Sequence, residues 1–520
     1  MKIVHINTYD ISGGAAIAAQ RIHEALTQQQ VDSKMLVLHQ QSDQEKIEAV
    51  HSYQYIENDE TYFIKEFIQP FYINQSRSDL SQTMFSLSYP GVDISDHPFV
   101  QEADVIHLHW TAHFLSPISL NQLFRLNKPL IWTFHDQRVF TGGCHFTAGC
   151  DLYKTECNEC PQLITDPCHL VLNQFQDQKE LYQNNLFKIV TPSQWMKSCA
   201  QQSEILKGRE VEVIANPIPL SMFEDYDRNQ SKKKLGISPE TKTLLFVAKD
   251  IDEKRKGFDT LIKALKTMSE FPDFKKDMVS ALVIGEKKEI INDLPISLKL
   301  IPYVSSMDQM REIYRASDLF LLPSLEDNLP NTMLESMATK TPVIAFETGG
   351  IPEFVRNDFT GLLAPLEDHD QYANLIWQLL GDDEKRERYG QNAYQEVKEE
   401  CLPNIQAQKY IKLYEQISAQ KVEAKHSFND GYTRKSIFGS LFNKIYHDVL
   451  YESLRRYFQD TEISVNNKCD LLIHKLKYFF RNKIIRLISK NINVILSNSK
   501  KNKAMEKYLE LKSLKKKKEL

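Results

Sequence analysis

The sequence predicts an α/β protein with two Rossmann-like domains that face each other across a cleft. Short apolar runs alternate with helical stretches over residues 1–400, as in KIVHIN before GGAAIAAQRIHEAL and DLFLLPS before NTMLESMA. Continuous apolar strands that alternate with helices are typical of parallel sheets covered on both faces. This pattern runs over more residues than one domain usually holds, so we expect two sheets.

The predicted first domain covers residues 1–215 and includes a cysteine-rich insert at 141–168. The second is predicted over 216–400. It begins near NPIPLSMF, whose two prolines suit a linker because proline cannot continue a helix. In open parallel sheets, ligands bind beyond the carboxyl ends of the strands. The functional site is therefore expected in the cleft between the two domains.

Composition places the chain among ordinary globular proteins. Its 520 residues are 42% hydrophobic and 26% charged, and eight cysteines in so long a chain do not suggest a secreted disulfide scaffold. MKIVHINTY reads as a first strand rather than a signal peptide, and no stretch approaches roughly 20 apolar residues. We therefore expect a cytoplasmic protein. The sequence also lacks GxGxxG, which counts against a dinucleotide cofactor.

The carboxyl-terminal 100 residues differ in charge from the rest. Residues 421–520 carry 23 Lys and Arg against 10 Asp and Glu, although the whole chain has a net charge of −5. Apolar residues at helical spacing between these basic residues predict a helical extension. Such helices lie on anionic membrane surfaces, here the inner face of the cell membrane, or pack on the body with a solvated basic face. The body is acidic and has no recognition motif, so we expect no nucleic-acid partner.

The stretch SLEDNLPNTMLESMATKTPVIAF holds the main candidate site. It follows a predicted strand, and Asn331 is expected to cap a helix whose free N–H groups suit a phosphate. Glu335, one turn into the helix, could bind a ribose or sugar hydroxyl, and Asp327 or Glu326 could bind sugar hydroxyls from the loop. The alternative is that acidic residues near a helix start are simply favourable to the helix.

This stretch resembles the nucleotide-sugar site of retaining glycosyltransferases of family 4, which have two Rossmann domains in the GT-B architecture. Their signature is an acid, seven residues and a Glu, and Asp327 and Glu335 have that spacing. The first acid of the family is usually Glu. Here Asp327 stands in register and Glu326 lies one place early, so either could be the functional first acid. The other matching positions are Pro342-Val343, Gly349-Gly350, Pro352-Glu353 and Gly361.

The resemblance extends over the second domain and implies roles for its basic residues. LLFVAKDIDEKRKGFDTLIKAL is similar to the family's first strand of this domain, and Lys256 matches a lysine on the donor diphosphate. The family pairs this lysine with an arginine. In this chain either Lys249 or Arg255 would take the role of that arginine. Asn331 and Thr332 are expected to bind the donor at the helix start. IQAQKYIKLYEQI, within the predicted helix 401–420, resembles the final helix that crosses back to the first domain.

In the amino-terminal half, Gly13 and Gly14 lie between the first strand and the first helix, where they let a ligand approach the backbone. His109 and His135 both follow strand-like runs, and a lone histidine is often only a structural hydrogen-bonder. His135 is the stronger candidate, because the resembled family carries a histidine over the donor sugar at a matching strand end. Asp136 beside it would orient the loop or bind the acceptor.

A cysteine-rich stretch, TGGCHFTAGCDLYKTECNECP, follows directly. It contains four cysteines within 17 residues: Cys144, Cys150, Cys157 and Cys160. The last two form a Cys-x2-Cys pair, a spacing that lets two thiolates bind one zinc, with His145 and Cys168 as spare ligands. Buried or redox-active thiols are the alternative. Similar segments occur in bacterial capsular and exopolysaccharide-assembly transferases, which this chain resembles.

The resemblance as a whole implies a retaining glycosyltransferase of polysaccharide biosynthesis. It would move a sugar from a nucleotide-diphosphate donor to a hydroxyl of a glycan or lipid-linked glycan, with no metal cofactor required for catalysis. His135, Lys256, Asp327 and Glu335 are the expected catalytic residues. A nucleotide-sugar epimerase on the same fold and a catalytically silent binding protein remain as alternatives.

Overall fold

Two parallel sheets form the framework of the chain. The computed structural model describes residues 1–50, 64–166, 168–286, 296–302, 304 and 306–419. Within these ranges the strand orders are β3-β2-β1-β4-β5-β6-β7 and β10-β9-β8-β11-β12-β13, and neighbouring strands run parallel. The strands are β1 (Lys2–Tyr9), β2 (Asp32–His39), β3 (Ile47–Ala49), β4 (Val105–Leu108), β5 (Leu130–Thr133), β6 (Lys188–Thr191), β7 (Val211–Val213), β8 (Lys242–Asp250), β9 (Val279–Glu286), β10 (Ser297–Ile301), β11 (Leu319–Leu322), β12 (Val343–Phe346) and β13 (Gly361–Ala364).

Helices connect most of these strands, because neighbouring parallel strands need a crossover connection. Within the described ranges they are α1 (Gly14–Gln28), α2 (Pro98–Glu102), α3 (Pro117–Arg125), α4 (Leu170–Gln183), α5 (Gln194–Gln202), α6 (Arg228–Lys234), α7 (Phe258–Ser269), α8 (Met307–Ala316), α9 (Asn331–Ala338), α10 (His369–Leu380), α11 (Asp383–Glu400) and α12 (Pro403–Ser418). The alternation confirms the predicted α/β class with two parallel sheets.

The second sheet is buried on both faces, as its continuous apolar strands predict. Along β11, Leu319 and Leu321 pack into one hydrophobic cluster, whereas Phe320 and Leu322 pack into another. Successive side chains of a strand point to opposite faces, so the two clusters lie on opposite faces of the sheet. Buried strands of this kind leave only their ends and loops available for chemistry.

The last described helix, α12, packs against the first sheet. Its Tyr410 and Tyr414 lie in a hydrophobic cluster with Ile3 of β1, Val105 of β4 and Ile131 of β5. Both tyrosines are almost fully buried. The chain therefore returns from the second sheet to the first before the described residues end.

The basic extension predicted over 421–520, including its membrane contact, lies outside the described residues. The predicted boundary at 215/216 falls between β7, which ends at Val213, and β8, which begins at Lys242. Of the helices described, none is both long enough and apolar enough to cross a membrane.

Candidate functional site

In the loop after β11, the predicted acid Asp327 contacts two cationic side chains. The Asp327 Oδ2 atom lies 2.9 Å from Arg255 Nη1 and 2.8 Å from Lys256 Nζ. Arg255 also donates to the Glu326 carbonyl oxygen at 2.9 Å, and its guanidinium lies 4.3 Å from the Phe146 ring centroid. The predicted basic turn is therefore held against the predicted acidic loop.

The two neighbouring acids have different electrostatic surroundings. Burial raises the pKa of Glu326, whose Oε2 accepts the Ala148 N–H at 2.9 Å. Burial acts in the same direction on Asp327, but the charges of Lys256 and Arg255 outweigh it and lower the pKa of that carboxyl. The two cations therefore favour the ionised form of Asp327, whereas Glu326 is held by the backbone of the cysteine-rich insert.

Close backbone approaches fix this loop, and two glycines permit them. Gly257 has φ +70°, and a Cβ there would stand 1.8 Å from the Pro323 carbonyl oxygen. Gly349 has φ +59°, and a Cβ there would stand 1.8 Å from the Asp327 carbonyl oxygen. Any larger residue would push the basic turn or the Gly-Gly loop away from the acids.

Two helix starts meet beside this loop. The Asn331 Nδ2 atom donates to the Gly14 carbonyl oxygen at 2.9 Å, which links the start of α9 to that of α1. Within the described part of the protein, neither start carries a side-chain cap hydrogen bond. Lys249 Nζ donates to Ser12 Oγ at 2.5 Å, next to Gly13. The positive ends of two helices and an exposed lysine thus lie close together, an arrangement suited to an anion.

The expected N-cap role of Asn331 was wrong by one residue. Pro330 is the N-cap of α9, and Asn331 is the first helical residue. The Asn331 amide is used elsewhere: besides donating to Gly14, it accepts from Asn216 Nδ2 at 2.9 Å. Thr332 follows in the first turn and is half-buried.

Glu335 is paired with a residue of α1 for which the sequence predicted no role. Its Oε1 lies 2.5 Å from Arg21 Nη2, and its Oε2 accepts from the Tyr314 hydroxyl at 2.9 Å. The two charged side chains are 4% and 8% exposed, so the ion pair is shielded from water. Arg21 lies seven residues after Gly14, which places both on one face of α1. That spacing is the signal that could have identified Arg21.

Imidazoles form a hydrogen-bonded chain from the core to the cleft. His5 Nδ1 lies 2.9 Å from His109 Nε2, and His109 Nδ1 lies 3.2 Å from His135 Nε2. His5 Nε2 is buried and has no hydrogen-bond partner among the residues that the structure describes. An orphaned N–H is rarer in protein interiors than an orphaned acceptor, so we infer that His5 carries its proton on Nδ1. Each histidine then donates to the next, and His135 keeps its own proton on Nδ1.

His107 lies beside this chain. In the described part of the protein, His5, His107 and His109 form a group whose ligand atoms lie within 4.8 Å of one another. Both His107 nitrogens already contact hydroxyls, those of Tyr414 and Thr133, each at 2.8 Å. The His5–His109 contact has the length of a hydrogen bond. Both His107 nitrogens, His5 Nδ1 and His109 Nε2 are therefore already used in hydrogen bonds.

These histidines should make the fold sensitive to mild acid. Burial lowers the pKa of His107 to about 3 and that of His135 to about 4, and lowers those of His5 and His109 well below normal. Below about pH 6.5 the unfolded chain binds protons that the native state does not. Stability is therefore full above that pH and falls as the pH drops toward about 4, by up to about 1.4 kcal/mol per pH unit for each histidine.

Denaturant unfolding between about pH 7 and pH 5 measures this slope. The variant His107→Gln should reduce it by about one proton. The matched substitution His369→Gln, on a side chain that is 40% exposed, should leave it unchanged. Equal slopes in all three proteins would contradict the prediction.

The predicted residues fall into connected groups. Asn328 joins the loop to the first domain, because its Nδ2 donates to the His135 carbonyl oxygen at 3.1 Å and its Oδ1 accepts from Ser193 Oγ at 2.5 Å. Asp136 contacts the insert, because its Oδ2 atom lies 2.7 Å from His145 Nδ1 and also 2.7 Å from Trp110 Nε1. The expected roles of these residues remain predictions, and Arg21, Tyr314 and Asn328 join the candidates.

The second domain is similar in sequence to a known protein family. Residues 227–396 match the family described as Glycosyl transferases group 1. A D-inositol 3-phosphate glycosyltransferase of Thermobifida fusca (strain YX) is 28% identical over 35% of this chain and 44% of its own length. The N-acetyl-alpha-D-glucosaminyl L-malate synthase of Bacillus anthracis is 27% identical over 41% and 55%. The chain thus spans about half the length of these relatives.

Solved structures share the architecture of both domains. HepE of Anabaena, solved in complex with UDP and glucose, is 16% identical, with a TM-score of 0.54 over 81% of this chain and 100% of that chain. At this identity the likeness concerns the fold. Together with the family match, it confirms the resemblance inferred from the Asp327–Glu335 motif. Residues 227–396 thus match the group 1 glycosyltransferase family, and the described part of the chain has the fold of HepE.

Proposed function

We propose that this protein is a retaining glycosyltransferase. It would transfer a sugar from a nucleotide-diphosphate donor to a hydroxyl of a glycan or lipid-linked glycan in polysaccharide biosynthesis. One observation supports the proposal most strongly: Arg255 and Lys256 both form ion pairs with Asp327. Asp327 lies in the loop that leads to the start of α9, where no side-chain cap hydrogen bond is described. Fixed cations and helix N-termini are the groups that stabilise a diphosphate.

The proposed chemistry needs little rearrangement of these groups. Charge develops on the diphosphate as its bond to the sugar breaks, and Lys256 with Arg255 or Lys249 would neutralise it. The diphosphate would take the proton of the attacking acceptor hydroxyl on the same face of the sugar, which retains the configuration. No metal is needed for this step, because lysine and arginine supply the positive charge.

The remaining groups would position the donor. Asp327 stays ionised and would accept hydrogen bonds from sugar hydroxyls, while Glu326 fixes the loop through Ala148. Glu335 would bind the ribose hydroxyls, either while it keeps its ion pair with Arg21 or after that pair opens. His135, with Nδ1 protonated, would donate to an oxygen of the donor sugar or of the acceptor.

The test is a donor screen of the purified full-length chain with UDP-, GDP- and ADP-sugars. HepE was solved with UDP and glucose, so UDP-glucose is the first donor to assay. Slow release of nucleotide diphosphate, with the anomeric configuration retained in the product by NMR, supports the proposal. An inverted product would overturn the retaining mechanism, and a changed sugar on an intact nucleotide would identify an epimerase.

A silent binding protein is the second candidate, because the carboxylates of both Asp327 and Glu335 are already paired with cations. A thermal shift on donor binding, without release of nucleotide diphosphate with or without added glycan, would favour it. A saturating donor at about 100 times its dissociation constant adds about 2.7 kcal/mol of stability, which is easily measured.

A further inference from the structure

The cysteine-rich insert places four of its five cysteines around one small cavity. Cys144, Cys150, Cys157 and Cys160 all line a cavity of ≈ 20 Å³, together with apolar side chains such as Phe85 and Val171. All four are free thiols. This volume is about the room that one water molecule needs, so it suits a single ion rather than a cluster.

A backbone group points at one of these sulfur atoms. The Gly142 N–H donates to Cys157 Sγ at 3.3 Å, and the Leu163 N–H donates to the Cys160 carbonyl oxygen at 3.1 Å. N–H donors stabilise negative charge on sulfur, and a thiolate rather than a thiol is the form that binds metal. Burial raises the pKa of both the Cys157 and the Cys160 thiol, so a bound cation is what would hold them as thiolates.

We propose that Cys144, Cys150, Cys157 and Cys160 bind one structural Zn²⁺. Four thiolates form a closed tetrahedral set, and zinc prefers sulfur ligands of this kind. The sulfur atoms do not form a group within 4.8 Å in the described residues, as the three core histidines do. Zn–S bonds of about 2.3 Å would draw them inward into the shared cavity.

His145 and Cys168 are not part of this ligand set. His145 Nδ1 contacts Asp136 Oδ2 at 2.7 Å, and His145 Nε2 contacts Ser86 Oγ at 2.8 Å, so both ring nitrogens are already used. Cys168 is buried but does not line the cavity. The proposed ligands are therefore four cysteines, with no histidine among them.

The metal would brace a loop that reaches the cleft. The side chain of Gln162, which follows the Cys-x2-Cys turn, donates to the Phe146 carbonyl oxygen at 2.8 Å. The Phe146 ring lies against Arg255, and Ala148 donates its N–H to Glu326. The zinc would thus act as a structural element that fixes residues 146–148 against the candidate site. Metal binding itself does not depend on the proposed transferase activity.

The first test is metal analysis of the full-length chain, produced with zinc in the medium and purified without chelators. We expect one zinc per chain by mass spectrometric elemental analysis. Replacing zinc with Co²⁺ should give the intense absorption of tetrahedral cobalt–thiolate coordination, a readout that needs no variant. A chain that binds neither metal would overturn the proposal, as would an iron centre or two disulfides found by alkylation under denaturing conditions.

Variants then assign the ligands. The double variant Cys157→Ser/Cys160→Ser should lower the zinc content by about tenfold or more, because two of four ligands are lost. The control Cys401→Ala removes a thiol in the core of the second domain and should keep one zinc. Unchanged zinc in the double variant would contradict the assignment. If that variant does not fold, the cobalt spectrum of the wild-type chain still tests whether thiolates coordinate the metal.

Discussion

Replacing Lys256 with alanine is expected to lower kcat by about 10²–10³-fold, the usual cost of removing one group that stabilises transition-state charge. Lys256 Nζ lies 2.8 Å from Asp327, in the loop that leads to the start of α9. The matched control is Lys254→Ala, two residues earlier in the same basic turn, where the side chain is exposed. Initial rates of nucleotide-diphosphate release measure both.

The fold should survive this substitution. Asp327 keeps its contact with Arg255 at 2.9 Å, so no buried carboxylate is left without a partner. We therefore expect unchanged unfolding midpoints in both lysine variants. Equal loss of turnover in Lys254→Ala and Lys256→Ala would show that only general charge matters. An unchanged kcat with a raised KM would show that Lys256 binds the donor without assisting the chemistry.

The fold could be predicted from the sequence because its strands are continuous apolar runs. Runs such as DLFLLPS and TPVIAF are apolar throughout, and β11 and β12 are buried on both faces as that pattern requires. The spacing of Asp327 and Glu335 likewise reflects one loop and one short helix. Features within a single strand–loop–helix unit were therefore accessible from the sequence.

Contacts between the domains were not accessible in the same way. Arg21 and Glu335 are 314 positions apart, and their meeting depends on how two separate sheets face each other. The same holds for Ala148, whose N–H donates to the Glu326 carboxylate although the two residues are 178 positions apart. His5 and His107 are registered neighbours on β1 and β4, but a histidine inside an apolar run does not reveal which partner satisfies it. Long-range pairing, rather than local chemistry, sets the limit.

The buried pair between Arg21 and Glu335 should be among the most costly contacts to break. Arg21→Met is expected to reduce the free energy of unfolding by about 3–5 kcal/mol, because the Glu335 carboxylate would stay buried with the Tyr314 hydroxyl as its one remaining partner among the described residues. Glu335→Leu alone should cost a similar amount, since it leaves the guanidinium buried without a counter-charge. Urea unfolding of each variant measures these losses.

The double variant Arg21→Met/Glu335→Leu distinguishes an ion pair from two independent packing positions. Replacing both charges with apolar side chains removes the unpaired group, so its loss should be well below the sum of the single losses. Arg125→Met, at the exposed end of α3, is the control for removing an arginine and should change stability little. Additive losses in the double variant would show that the ion pair contributes little. A strong coupling would instead identify Arg21, in the first domain, as the residue that holds the Glu335 carboxylate of the second domain in place.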